Sequence, residues 1–78
     1  MKTDSIGNIL ARLGLPERAV SIGKPVVEEC YVIAQEGAEW TVYYAERGHR
    51  NSEQRFSSET IASRYLIGWL IDSVLQWR

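Results

Sequence analysis

Two β-rich runs separated by three turn-forming residues constrain this chain more than any other feature. Glu29 to Gln35 carries Tyr31, Val32 and Ile33, and Glu39 to Glu46 carries Trp40, Thr41, Val42, Tyr43 and Tyr44. Between them Glu36-Gly37-Ala38 is a hairpin turn of the right length, with its glycine. The spacing predicts an antiparallel strand pair. In the second strand Trp40, Val42 and Tyr44 share one face, and Thr41, Tyr43 and Ala45 share the other. Both faces carry apolar mass. One must hold the core, and the other is either partly covered or reserved for a partner.

Helical patterns flank the pair. Ile6, Ile9, Leu10 and Leu13 fall at i, i+3, i+4 and i+7, which predicts a helix from Thr3 to Leu13. Asp4 or Ser5 can cap its first free N–H groups. Gly7 weakens it by about 1 kcal/mol against alanine, so it needs tertiary support. Gly14, Leu15 and Pro16 form a stop signal. Ala19-Val20-Ser21-Ile22 reads as a short extended piece, and Gly23-Lys24-Pro25 as punctuation. After the second strand, Arg47 to Ser52 reads as a polar loop and Glu53 to Phe56 as a short third strand. Ser57 is the expected N-cap of a last helix from Ser58 to Gln76, with Glu59 in its first turn. Ala62, Leu66, Trp69, Leu70 and Trp77 line one broad face of that helix. Ile67, Ile71 and Leu75 form a second stripe, on which the first helix is expected to pack. The alternative is an interface with another chain, because a helix apolar on most sides must be buried on most sides. The expected fold class is α+β: a small two-layer domain ordered helix, two or three antiparallel strands, helix. Both helices lie on one sheet face, and the other face is left open.

Composition narrows the functions available. Seventy-eight residues, taken as a single domain over 1–78, bury only about 60% of the unfolded surface. That leaves no room for a large enclosed active site. The single cysteine, Cys30, excludes an internal disulfide framework. With His49 the sole histidine, a closed Cys/His zinc site is excluded too, and neither metal nor cofactor is expected. The reducing cytosol is the natural compartment for such cysteine usage. Met1 to Ser5 has no apolar segment behind a basic start, so no targeting signal is expected. The longest apolar stretch, Tyr65 to Leu75, is interrupted by Gly68, Asp72 and Ser73 and is too short to span a bilayer.

Catalytic patterns are missing. His49 sits in a Gly/Arg-rich segment without an orienting partner, and the glutamates are scattered. Ser21-Ile22-Gly23-Lys24 lacks the hydroxyl and helix start of a phosphate-binding loop. Acidic neighbours disfavour a Cys30 thiolate, so Cys30 reads as a small buried hydrophobe. An enzyme is not expected.

What remains is a charge pattern. Glu28, Glu29, Glu36, Glu39 and Glu46 fall between Val26 and Glu46 with no Lys or Arg among them. Arg47, His49, Arg50 and Arg55 then follow against Glu53 alone. The net charge of −1 and the single basic segment argue against a generic nucleic-acid binder. One reading is a solvated rim of weak local ion pairs. The other is a bipolar recognition surface that orients a charged partner, with Tyr31, Trp40, Tyr43 and Tyr44 as interface anchors.

Three segments resemble a known set of proteins. They are Leu15-Pro16-Glu17-Arg18-Ala19-Val20-Ser21-Ile22-Gly23, Trp40-Thr41-Val42-Tyr43-Tyr44-Ala45-Glu46-Arg47-Gly48, and Phe56-Ser57-Ser58-Glu59 with Ala62 and Tyr65-Leu66. The chain resembles small bacterial immunity proteins encoded beside secreted polymorphic toxins, and within them the inhibitors of tuberculosis-necrotizing-toxin-like NAD glycohydrolases. The resemblance spans residues 9 to 70, and its most specific part is Trp-x-Val-Tyr-Tyr-x-Glu-Arg-Gly. It implies a cytoplasmic protein that binds a cognate toxin domain and occludes its active site, without nucleic acid or membrane. The free form would be a monomer or weak homodimer. The acidic hairpin and the following loop are the expected inhibitory surface, through Glu28, Glu36, Glu39, Trp40, Tyr44, Glu46, Arg47, His49 and Arg50. Arg47 has two roles open to it: docking on a toxin carboxylate, or bracing the fold against Glu46 or Glu59. Two other classes stay open, a small ligand- or nucleic-acid-binding module using the Arg47–Arg55 loop, and a self-associating structural protein using Ile67, Ile71 and Leu75.

Overall fold

A computed structural model describes residues 5–16, 19–23 and 29–76. The elements are α1 (Ile6–Leu13), β1 (Val20–Ile22), β2 (Cys30–Glu36), β3 (Glu39–Glu46), β4 (His49–Phe56) and α2 (Glu59–Gln76). The class is α+β. The strands form one sheet in the order β1-β2-β3-β4.

The hairpin read from the sequence is present. Gly37-Ala38 joins β2 to β3, with Gly37 at φ 66°, the positive φ that a tight two-residue hairpin turn needs at its first position. This turn sets the register: Glu36 faces Glu39, Ile33 faces Val42 and Tyr31 faces Tyr44.

Three expectations about the elements themselves differ from the structure. First, the polar loop over 47–52 and the strand starting at Glu53 are replaced by a second two-residue turn, Arg47-Gly48, and an eight-residue β4. Both turn residues have positive φ, 51° and 81°, as a turn matching the twist of its strands demands. The polar run His49-Arg50-Asn51-Ser52-Glu53-Gln54-Arg55 carries no apolar alternation to announce a strand; β4 forms because the tight turn lays it against β3. A bulge lies within it. Val42 pairs with Gln54 and Tyr44 with Asn51, so Ser52 and Glu53 together oppose Tyr43. Ser52 takes the left-handed conformation at φ 57°, the backbone shape that bulges of this kind favour. Second, the sheet has four strands and is mixed, because β1 pairs parallel to β2, Val20 with Tyr31 and Ile22 with Ile33. Third, the N-cap of α2 is Ser58 rather than Ser57: its Oγ accepts the Ile61 N–H at 3.3 Å.

The helix stop after Leu13 is as read. Gly14 is left-handed at φ 75°, its N–H donates to Ala11 O at 3.2 Å, and Leu15 N–H donates to Leu10 O at 2.9 Å. This pair of bonds closes the helix end and folds Leu15 back onto the core. At the other end Ser5 makes no side-chain capping bond, and Asp4 lies outside the described residues.

Two apolar clusters hold the molecule. The larger joins Ile6 and Leu10 of α1, Val20, Ile33 and Val42 of the sheet, and Ala62, Leu66 and Leu70 of α2. Its composition corrects the helix pairing: α1 shares a cluster with Leu66 and Leu70, while Ile71 and Leu75 of the second stripe stay exposed. Trp77 lies outside the described residues. The smaller cluster, Cys30, Val32, Ala34, Tyr43 and Ala45, occupies the opposite sheet face. That face was expected to be open. It is closed: Val32 has no exposed surface and Tyr43 has 1%. Cys30 is buried there among apolar neighbours.

Candidate functional site

A groove of about 670 Å³ lies on the helix-bearing side of the sheet. Leu13 and Leu15 at the end of α1 form one wall, and Trp69, Ser73 and Val74 of α2 another. Tyr31, Tyr44, Glu46, Asn51 and Ser52 supply the strand side. Local structure explains each contribution. The Gly14 cap turns Leu15 inward, the hairpin register sets Tyr31 beside Tyr44, and the bulge places Ser52 at the rim.

The aromatic residues interlock. Tyr31 meets Tyr44 edge-on with ring centroids 5.1 Å apart and Trp69 edge-on at 4.8 Å, the geometry aromatic quadrupoles prefer. Tyr65 extends the chain, 6.1 Å from Trp69 and 5.2 Å from Phe56. Ser73 Oγ donates to the Trp69 carbonyl at 3.0 Å, which leaves it to accept from the Tyr31 hydroxyl at 2.6 Å. This bond fixes the Tyr31 ring across 42 residues of sequence.

The groove has an acidic mouth. Burial pushes the Tyr44 hydroxyl above its ordinary pKa, and the negative charges of Glu29 and Glu46 push it further the same way. Glu29 and Glu46 are exposed and form no ion pair among the described residues. An aromatic recess with these carboxylates beside it suits a cationic side chain of a partner, through charge and through the ring faces.

The charges at the opposite end of the hairpin behave differently. Arg50 donates to both carboxylate oxygens of Glu36, at 3.0 and 2.9 Å. Arg55 lies 3.0 Å from Glu53, 3.7 Å from Glu39 and 3.8 Å from Glu36. Arg50 reaches Glu53 at 3.7 Å. The Arg50 hydrogen bond holds the Glu36 carboxyl below its ordinary pKa, partly opposed by burial. Reciprocally, Arg50 is raised above its ordinary value, first by its bond to Glu36.

The surface expected as one unit is therefore divided. Glu36, Glu39 and Arg50 sit on the far sheet face in a network that neutralises itself, so the acidic hairpin and basic segment are not separate poles. Trp40 packs half-buried against the main core. Tyr44 and Glu46 belong to the groove. Arg47 occupies the second turn in left-handed backbone, and His49 opposes Glu46 across it. Glu28 lies outside the described residues. Arg47 makes no ion pair with Glu46 or Glu59 among the described residues.

Leu13, Leu15, Trp69 and Ser73 are not among the residues expected at the site, and Tyr31 is expected only as one of four aromatic anchors. A usable signal existed for Tyr31: a two-residue turn at Gly37-Ala38 pairs residues whose numbers sum alike, which puts Tyr31 opposite Tyr44. Nothing in the sequence announces the Ser73 bond. Among the described residues no three His, Cys, Asp or Glu side chains gather as a metal site, and no helix is long and apolar enough to cross a membrane. Comparison with protein-family models, curated proteins and solved structures finds no match.

Proposed function

We propose that this chain is an immunity protein, which binds a cognate secreted toxin domain and blocks its active site. The observation that carries the reading is the groove: aromatic walls from Tyr31, Tyr44 and Trp69, with Glu46, which makes no ion pair among the described residues, in its lining. Large, partly rigid aromatics in a recess are the side chains that concentrate binding energy at protein interfaces. The resemblance of the Trp40-to-Gly48 run supplies the kind of partner. A toxin that degrades NAD must bind phosphates with basic groups, and a basic side chain from such a cleft fits an acidic mouth. The contact surface proposed here is Tyr44, Glu46, Arg47 and His49 at the β3–β4 turn. Glu36 and Glu39 contribute less, because Arg50 and Arg55 already neutralise them. The same pairing counts against the nucleic-acid alternative, since those arginines are engaged with carboxylates.

The test co-expresses the chain with the toxin domain encoded beside its gene and measures growth and affinity. Glu46→Lys and Asn51→Trp, which reverses the mouth and fills the groove respectively, should abolish protection while leaving the fold intact. Glu39→Lys should protect nearly as well as wild type. Full protection by both groove variants overturns the assignment of this surface. Absence of any binding to the neighbouring gene product overturns the function.

A further inference from the structure

The outward side of α2 carries apolar residues along its length, interrupted by exposed Arg64 and Asp72, and none of its residues belongs to either core cluster. Ile61 is 53% exposed, Tyr65 38%, Ile71 40% and Leu75 65%. At 100° per residue, Gly68 stands at the centre of this face, on the side of the helix away from Ala62, Leu66 and Leu70. A glycine in mid-helix weakens the helix, and no internal contact requires one. A Cβ built at Gly68 meets nothing within 4 Å. Smallness there serves no packing among the described residues. It does let a second helix approach closely.

The residues around Gly68 are symmetric in chemistry. Three positions out on either side lie Tyr65 and Ile71; four out lie Arg64 and Asp72; seven out lie Ile61 and Leu75. If two copies of α2 cross antiparallel on a two-fold axis at Gly68, each residue before it meets its counterpart after it. Apolar side chains then meet apolar ones, glycine meets glycine where the backbones are nearest, and Arg64 of each copy meets Asp72 of the other. Within one chain Arg64 and Asp72 form no ion pair among the described residues. A recess of about 490 Å³ beside Gly68, bounded by Arg64, Tyr65, Trp69, Ile71 and Asp72, is a ready seat for a side chain of the second copy.

The geometry points to an isologous antiparallel homodimer through α2, with its two-fold axis at Gly68. Charge complementarity selects the occupant: a stripe carrying both signs at mirrored positions around a glycine is complementary to itself. The Tyr44 and Glu46 surface lies on the sheet, and of the residues bordering this recess only Trp69 also borders the groove.

Sedimentation equilibrium of the full chain tests it, with Arg64→Asp, Asp72→Arg and the double exchange. Wild type should dimerise with a dissociation constant on the order of 10 μM, as small transient interfaces do. Each single reversal creates two like-charge contacts and should weaken association at least about tenfold. The double exchange re-forms both pairs in mirror image and should return association to within about threefold of wild type. Gly68→Cys should form a disulfide dimer on mild oxidation, since Cys30 is buried. A wild type that stays monomeric to about 1 mM, single reversals without effect, or a double exchange that fails to restore association each overturn the proposal. Circular dichroism on every variant separates lost association from lost folding, and none of these outcomes bears on toxin binding.

Discussion

Arg50 lies over Tyr43, its guanidinium carbon 4.4 Å from the ring centroid, while the same group grips both oxygens of Glu36. Tyr43 is the largest side chain of the smaller cluster. One arginine thus covers an apolar face and carries the centre of the ion network. The planar guanidinium does both because its faces stack while its edges donate.

Arg50→Ala should therefore destabilise the protein by about 1–2 kcal/mol, a cation–π contact plus a bidentate pair discounted for its partial exposure. Arg50→Lys should recover only part, because an ammonium cannot stack and fork together. Urea denaturation followed by tryptophan fluorescence measures both. Equal stability of the lysine variant and wild type would show that charge alone matters.

Acid should weaken this face first. The Glu36 carboxyl is held below its ordinary value of 4.5. A group with a lowered folded pKa contributes stability above its unfolded pKa and loses it as pH falls through the folded one. The Glu36 contribution is thus present at neutral pH and declines below about pH 4.5. Glu36→Gln should be less stable than wild type at pH 7, and the gap should narrow toward pH 3. A constant gap across thermal melts at these pH values would remove Glu36 from the acid response.

Ser63 is fully buried on α2 with its Oγ lacking a hydrogen-bond partner among the described residues. An unsatisfied buried hydroxyl costs about 1–3 kcal/mol, and alanine is the better helix former. Ser63→Ala should raise stability by about 1 kcal/mol, read as an increased urea midpoint with unchanged slope. A loss of stability would mean that the hydroxyl is satisfied in solution.

Arg47 and Ser52 hold left-handed backbone at φ 51° and 57°, where non-glycine residues are strained. Arg47→Asn and Ser52→Gly should each stabilise the fold by about 0.5–1 kcal/mol. For Arg47 the pairing of readouts is informative. A more stable variant that no longer protects against the toxin assigns the side chain to the partner. A more stable variant that protects fully assigns the position to the turn.

The central hairpin and both helices were legible because each rests on a strong local pattern: β-branched and aromatic runs around a glycine turn, and apolar residues at helical spacing. β4 was not. Its seven polar residues before Phe56 have no preference that outweighs a loop, and its existence depends on Arg47, which rarely occupies left-handed backbone, forming a tight turn with Gly48. β1 was seen only as an extended piece, since three residues cannot state which strand they will join or in which direction. The site was half legible. Tyr44 and Glu46 stood out by type, whereas Trp69 and Ser73 entered only through the way α2 lies across the sheet. The acidic and basic segments looked like opposite poles because sequence separates them; the antiparallel register of β3 and β4 brings Glu39 and Arg55 to the same end.

β1 has a consequence for the order in which the molecule assembles. The strands β2, β3 and β4 follow one another through two-residue turns, so their pairing closes short loops and belongs to the microsecond class of hairpin formation. β1 adds only three residue pairs, and its parallel pairing with β2 requires a longer closure. Its backbone amides should exchange with solvent deuterium well before those of β3, through an opening that leaves the other three strands paired. α1 precedes this weakly held edge, and Leu13 and Leu15 at its end wall the groove. An opening of this edge should thus reach the groove through its Leu13 and Leu15 wall, while Tyr31 and Tyr44 stay paired on the opposite side.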